Sequence, residues 1–324
     1  MILDFRTPET GSRAQRWWRE WSLWKYYVDY FPITLVKTAE LPPDRNYLFG
    51  CHPHGILSFG TYASLCTSAT GFEQKFPGIK THLATLNGQF WWPFRREQGL
   101  ICGAVASSQR SLDYVLGRGQ GNAVGVVLGG AEEVLDTHAD SFDLNLMKRR
   151  GFVKVALRNG ASLVPIYNFG ENQTYTQLFP NKRGSFNRRF QVLFVAFYGS
   201  TELALVTYND FKLVIRGVQN CFLSGQCKKV NFNFSFQSAV RKIWGFCPPV
   251  IYGRGIFNSY IGILPRKTPI NTVIGRPIPV ERCLEPSKQR IDELHAQYCQ
   301  ALKELFEAHK GAFGIAEHVH LNLY

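Results

Sequence analysis

Short, wholly apolar runs separated by amphipathic stretches dominate the middle of the chain. Tyr47-Leu48-Phe49-Gly50, residues 123–128 and residues 162–167 carry almost no charge, the pattern of strands buried on both faces of a sheet. Between them lie stretches with helical spacing. Leu112, Val115 and Leu116 follow a Ser107-Ser108 cap, and a further helix is expected over 151–158. Near the end, Ile291, Leu294, Tyr298, Leu302 and Leu305 recur at three and four within residues 287–310, one face of a long helix. Asp292 and Glu293 in its early turns, and His309 and Lys310 in its last, match the helix dipole. Other expected elements are a strand at 82–86, a charged turn at 93–97, a helix at 235–244 and a strand pair over 269–280 around Gly275-Arg276-Pro277. Strands alternating with helices predict an α/β fold, a sheet flanked by helices.

The texture changes from about residue 191. Residues 190–198 and 203–208 are β-rich and 220–233 irregular, so 192–234 reads as an insertion. The chain then divides into an N-terminal arm with an amphipathic helix (1–34), a core (35–191), the insertion, and the rest of the core with its C-terminal helix (235–324). That is a single domain with an atypical insertion.

In residues 13–30, Trp17, Trp21, Trp24 and Val28 share one helical face, and Arg13, Arg16, Arg19 and Lys25 occupy other positions. Tryptophan opposite Arg/Lys suits a helix lying in a membrane interface; a helix packed on the core with a solvated basic face fits the same spacing. The formal net charge is +13, which suits anionic headgroups, a phosphate-bearing cosubstrate such as coenzyme A, or nucleic acid. No nucleic-acid-binding motif accompanies the charge. Deleting 192–234 removes four cations and two acids and leaves +11, so the basic character does not depend on the insertion. The 8 cysteines contain no Cys-x-x-Cys pair and sit mostly in apolar surroundings, as reduced buried thiols do. Residues 1–4 lack the basic start and apolar core of a signal peptide. No stretch reaches the roughly 18 apolar residues of a spanning helix.

The candidate chemistry centres on His52-Pro53-His54-Gly55, at the end of the first apolar run. Proline between two histidines forbids helix there, and Gly55 lets the chain turn at once. The apolar runs of 123–128 and 162–167 lead likewise into glycine and polar residues, Gly129-Gly130-Ala131-Glu132-Glu133 and Phe169-Gly170-Glu171-Asn172. In open α/β sheets ligands bind beyond the carboxyl ends of the strands, which makes this convergence the candidate site. Histidine moves protons near neutral pH, so His54 is the candidate general base for a substrate hydroxyl. Glu133 or Glu132 is the candidate to hold the second ring nitrogen and fix the tautomer. Lys148, Arg149, Arg150 and Lys154 cluster at a helix start, where they can hold phosphates or form a solvated basic face. Neither Gly-x-Ser-x-Gly nor a P-loop is present. A zinc site at His52 and His54 lacks partner ligands at the usual spacing, and no metal is expected.

Taken together, Tyr30-Phe31-Pro32, Cys51-His52-Pro53-His54-Gly55, Phe76-Pro77-Gly78-Ile79, Gly129-Gly130-Ala131-Glu132-Glu133, Arg149-Arg150-Gly151-Phe152-Val153-Lys154, Leu163-Val164-Pro165, Phe169-Gly170-Glu171-Asn172, Gly253-Arg254-Gly255 and Phe306-Glu307-Ala308-His309-Lys310 resemble the type-2 diacylglycerol acyltransferase family, which includes monoacylglycerol acyltransferases and wax synthases. The resemblance covers nearly the whole chain outside 192–234. It implies a glycerolipid-acyltransferase-like sheet and an O-acyltransferase of the endoplasmic reticulum membrane, facing the cytosol, that makes triacylglycerol or a related neutral lipid. Acyl-CoA would be the cosubstrate and an acylglycerol the acceptor, with no other cofactor. A homo-oligomer is also compatible with it. The family's histidine pair falls on His52 and His54 and its glutamate on Glu133, all assigned to catalysis. Arg149, Lys154 and Asn172 are assigned to substrate binding. Family members begin with a hydrophobic hairpin, and this chain starts just after where that would end. A non-catalytic lipid-binding relative is the second reading.

Overall fold

A computed structural model describes residues 4–177, 251–255 and 262–324. The insertion expected at 192–234, the strands read at 190–198 and 203–208, the helix read at 235–244, and Cys221, Cys227 and Cys247 lie outside the described residues. The strands are β1 (Ile33–Lys37), β2 (Tyr47–His52), β3 (Lys80–Thr85), β4 (Ala104–Ala106), β5 (Asn122–Val127), β6 (Asp143–Leu144), β7 (Ser162–Phe169), β8 (Thr176–Gln177), β9 (Ile251–Tyr252), β10 (Ile270–Ile274) and β11 (Asn322–Leu323). Seven of them form one sheet in the order β1-β10-β7-β2-β5-β3-β4. The stretch from β7 to β4 is parallel; β10 joins β7 antiparallel and β1 lies parallel to β10. The fold is mixed α/β.

Helices cover both faces. On one face lie α6 (Gln109–Leu116), α8 (Gly151–Asn159) and α9 (Lys288–Lys310); on the other, α3 (Phe59–Cys66) and α4 (Phe72–Lys75). Alternate residues of each strand serve the two cores, as the pleat requires. On β2, Leu48 joins the α6/α8/α9 side, while Tyr47, Phe49 and Cys51 join the α3/α4 side. On β7, Leu163, Tyr167 and Phe169 face the first core, and Val164 and Ile166 the second. Every residue of β2 and of β7 is buried, which is why their sequences read as apolar without alternation. In α9, Ser287 caps the start by accepting the Arg290 N–H at 3.2 Å.

Three expectations change. The single helix over 13–30 is two, α1 (Arg16–Arg19) and α2 (Leu23–Tyr30). Arg19, expected among the solvated cations, is instead buried; it donates to the Leu65 carbonyl at 2.9 Å and to the Thr81 hydroxyl at 2.7 Å. Trp24 reaches back to donate to the Trp18 carbonyl at 2.6 Å. The chain breaks where those two side chains turn inward. The charged turn at 93–97 is the first half of a helix, α5 (Pro93–Cys102). Proline stands at its first position, where no backbone N–H is needed. The strand pair over 269–280 is one strand, β10, followed by a lone bridge from Ile278 to Leu163. Pro277 and Pro279 flank Ile278 and have no N–H to continue a ladder. Among the described residues no helix is long and apolar enough to cross a membrane.

Candidate functional site

The order β7-β2-β5 places three parallel strand ends side by side. His52-Pro53-His54-Gly55, Gly129-Gly130 and Gly170-Glu171-Asn172 therefore meet at one edge of the sheet. Helix α8 leads into β7 from the opposite edge, so its own start, with Arg149 and Lys154, also lies on this side.

The two imidazoles have different surroundings. The His52 ring is fully buried and points to α9, where its Nε2 lies 3.1 Å from the Tyr298 hydroxyl. Tyr298 donates its only hydroxyl proton to the Gly50 carbonyl at 3.1 Å. The phenol oxygen is thus left to accept from His52 Nε2–H, which makes Nδ1 the bare nitrogen. That Nδ1 is buried without a hydrogen-bond partner. Burial alone pushes the His52 pKa down to about 3. His52 is sealed in the core as a neutral ring.

The His54 ring is half-buried, and its Nδ1 lies 3.0 Å from the Gly55 carbonyl. A carbonyl only accepts, so Nδ1 carries the proton and Nε2 the lone pair. Gly55 has φ +58, a conformation that glycine adopts freely and that turns its carbonyl back toward the ring. Burial lowers the His54 pKa below its ordinary value. The ring is held neutral with a basic Nε2, the state required of a proton acceptor.

Glu133 does not hold that ring. It lies on α7 (Gly130–Asp136), is fully buried, and its carboxylate accepts the backbone N–H of His54 at 2.7 Å and of Asn145 at 3.2 Å. The expectation of a carboxylate on the second ring nitrogen is corrected: the Gly55 carbonyl fills that place, and Glu133 fixes the His54 main chain instead. The Glu132 side chain lies outside the described part of the chain. Burial pushes Glu133 up to about 7, against the pull of its two N–H donors.

Two residues outside the predicted site set complete the edge. Glu171 is fully buried and accepts the N–H groups of Phe59 at 2.7 Å and Gly60 at 2.8 Å, holding the first turn of α3 just beyond the histidines. Burial raises it to about 7 as well. Asn168 donates to the His52 carbonyl at 3.1 Å and to the Thr61 hydroxyl at 3.0 Å, and accepts from Thr272 at 2.8 Å. It ties the histidine turn to α3 and β10. Glu171 is visible in sequence only as a member of Phe169-Gly170-Glu171-Asn172, with no role attached; Asn168 and Tyr298 look like ordinary core positions.

The residues expected to bind substrate sit around this frame. Arg149 donates to the Gly129 carbonyl at 3.2 Å, against the glycine turn that precedes Glu133. Lys154 and Lys148 are exposed. Arg150 leaves the cluster, because it pairs with Asp292 at 2.8 Å and lies 3.0 Å from His295 Nε2. Asn172 donates to the Ser141 carbonyl at 2.9 Å, while its Oδ1 is buried without a hydrogen-bond partner. Asn172, Pro53, Tyr167, Asn168, Phe169 and Phe313 are among the walls of a cavity of about 140 Å³.

The buried His52 predicts a specific acid sensitivity. The unfolded chain takes up this proton near pH 6.5, but the folded chain resists it down to about pH 3. Its contribution to stability is therefore intact above pH 6.5 and lost as pH falls, by about 4 kcal/mol at pH 3. Glu133 and Glu171 act with the opposite sign, their raised values costing stability as pH climbs from about 4.5 to about 7. The expected result is that His52→Gln loses less of its urea-unfolding free energy than the wild type between pH 6.5 and pH 4. Parallel curves would place the acid sensitivity elsewhere.

The comparisons with known proteins agree on one class. A family model described as diacylglycerol acyltransferase matches residues 1–219 and 217–324. 2-Acylglycerol O-acyltransferase 1 of Bos taurus is 39% identical over 318 residues, spanning 98% of this chain and 81% of its own length. Acyl-CoA wax alcohol acyltransferase 1 of Homo sapiens is 39% identical over 317 residues, with 98% and 82% covered. Diacylglycerol O-acyltransferase 2 of Danio rerio is 41% identical over 321 residues, with 98% and 75% covered. No solved structure matches the chain. These relatives are all acyltransferases by name. The chain belongs to the diacylglycerol acyltransferase family.

Proposed function

We propose that this protein transfers a fatty acyl group from acyl-CoA to the hydroxyl of an acylglycerol, with His54 as general base. The observation that carries the reading is the His54 ring, which donates Nδ1–H to the Gly55 carbonyl at 3.0 Å and so keeps Nε2 as its basic nitrogen. Nε2 takes the hydroxyl proton as the acceptor oxygen forms its bond to the thioester carbonyl carbon. The carbon–sulfur bond then breaks, and the proton passes to the departing coenzyme A thiolate. Atoms and charge balance without another cofactor.

Glu133 and His52 act as positioning residues in this scheme, one fixing the His54 main chain and the other the strand end before it. The cavity behind Pro53 is assigned to the acceptor, with Asn172 Oδ1 available to a donor on the substrate. Arg149, Lys154 and the exposed Lys148 are assigned to the phosphates of coenzyme A at the start of α8. The sheet, with its histidine turn at the carboxyl edge, is read as glycerolipid-acyltransferase-like. The enzyme is assigned to the cytosolic face of the endoplasmic reticulum membrane, where its acceptors are dissolved.

A radiolabelled acyl-CoA assay on microsomes expressing the chain, across monoacylglycerol, diacylglycerol and fatty alcohol, tests the reading. Label in an acylglycerol product is expected, and no product with any acceptor would overturn it in favour of a lipid-binding relative. The phosphate assignment has its own outcome: Lys154→Ala is expected to raise KM for acyl-CoA about tenfold with kcat nearly unchanged, one lost charge contact being worth about 1–2 kcal/mol. A fall in kcat at constant KM would move the phosphates elsewhere.

A further inference from the structure

Large apolar side chains left in water are concentrated on one part of this molecule. Of thirteen exposed among the described residues, five fall at 5–26 and three at 91–94. Trp17 is 62% exposed and Tyr26 73%, with Trp21 beside them; Trp91 is 56% exposed and Phe94 80%, with Trp92 between. Scattered single residues of this kind are normal on a protein surface, but a cluster of aromatic rings is not.

The two groups are neighbours in space although some seventy residues apart in sequence. The segment before α1 runs along the end of α5, with Arg13 N–H on the Leu100 carbonyl at 3.2 Å and Gln15 N–H on the Ile101 carbonyl at 2.8 Å. Arg13 also pairs with Glu97. Trp18 meets Trp17 edge-on and Trp21 at a tilt, with ring centroids 5.7 and 5.3 Å away, and packs into the same small core as Phe90 and Leu100. The exposed rings of α1 and those at the start of α5 thus rest on one shared base.

We infer that these two aromatic limbs form a single face that docks on a phospholipid bilayer, with Trp91, Trp92 and Phe94 as a second anchor beside the N-terminal helices. Indole rings and a phenol next to cations suit the headgroup layer, which is apolar below and polar above. Arg16, Lys25 and Arg95 stand exposed among the rings, complementary to anionic headgroups. The face also leads to the site. Tyr27 of α2, and Phe31 just after its end, lie 6.2 and 4.5 Å from the Phe59 ring, and Phe59 shares its core with Ile56, two residues past His54. Leu57 is exposed on that same turn. Docking sets the His54 turn beside the layer from which a lipid alcohol would enter. This last point rests on the acyltransferase reading; the docking itself does not.

The test uses the full chain with vesicles of phosphatidylcholine, alone or with a third phosphatidylserine. Trp91→Ser, Trp92→Ser and Phe94→Ser together are expected to lower vesicle partitioning in flotation at least about tenfold, which at about 1.4 kcal/mol is well below the burial of three aromatic side chains. Leu284→Ser, exposed beside Cys283 at the end of α8, is expected to leave it unchanged. Tryptophan fluorescence of the wild type is expected to be quenched by bromine-labelled acyl chains, a measurement that depends on no variant folding. Equal partitioning of the triple variant and wild type, an equal loss in the Leu284 control, or no quenching would each overturn the inference. If the wild type transfers no acyl group yet partitions and quenches as described, the enzymatic reading falls and the docking face stands.

Discussion

His54→Ala is expected to lower acyl transfer by about 10²–10⁴-fold, the usual contribution of a positioned general base, while the protein remains folded. The side chain is half-buried and its ring makes a single hydrogen bond, to the neighbouring Gly55 carbonyl. Its removal leaves no buried charge or N–H stranded in the core. Because burial depresses its pKa, the acid limb of kcat/KM in the wild type is expected below pH 6.5, and it should disappear from whatever activity the alanine variant retains. Initial rates across pH 5 to 8 on microsomes, corrected for expression, measure both. An alanine variant as active as the wild type would remove His54 from the reaction.

Glu171→Ala carries the largest expected loss of stability. Its carboxylate is the partner of two buried backbone N–H groups, those of Phe59 and Gly60, and alanine removes the acceptor of both. At about 1–3 kcal/mol for each stranded donor, the cost is about 2–6 kcal/mol, a large share of a domain's net stability. Glu171→Gln keeps one acceptor and is expected to lose less than Ala. Thermal or urea unfolding of the two variants gives the comparison, and a glutamine variant no better than alanine would mean that the carboxylate's charge, not its acceptors, holds the turn. The position also has no slack on its other side: a side chain at Gly55 would bring its Cβ within 2.7 Å of Glu171 Cγ.

Most of the sheet was legible because its central strands are buried on both faces. The apolar runs containing Leu48, Val124 and Leu163 leave no other reading, and the glycines after them mark the edge where the site lies. What escaped is whatever depends on a side chain leaving its expected face. Arg19 reads as one more cation on a helix, and only the Leu65 and Thr81 oxygens opposite it explain why it turns inward and splits that helix. Pro93 reads as a turn former until the absence of a needed N–H at a first helical position is taken into account. The candidate site shows the same division. The histidines and Glu133 are marked by their motif, but the partner of Glu133 is a main-chain N–H of His54, and no sequence pattern distinguishes that from a contact to the ring. Tyr298 and Asn168 act at long range in sequence, 246 and 116 residues from His52, where side-chain spacing carries no information.

The close approach of α9 to β2 ties two distant positions to each other. A Cβ on Gly50 would collide with the Tyr298 hydroxyl, and its distance to Tyr298 Cζ would be 2.7 Å. Neither residue is free to drift alone. A chain that enlarges position 50 must trim the ring at 298 in the same step, and in doing so it surrenders the phenol oxygen that steadies His52. Covariation between these two positions among descendants of a common ancestor is the trace such a lock would leave.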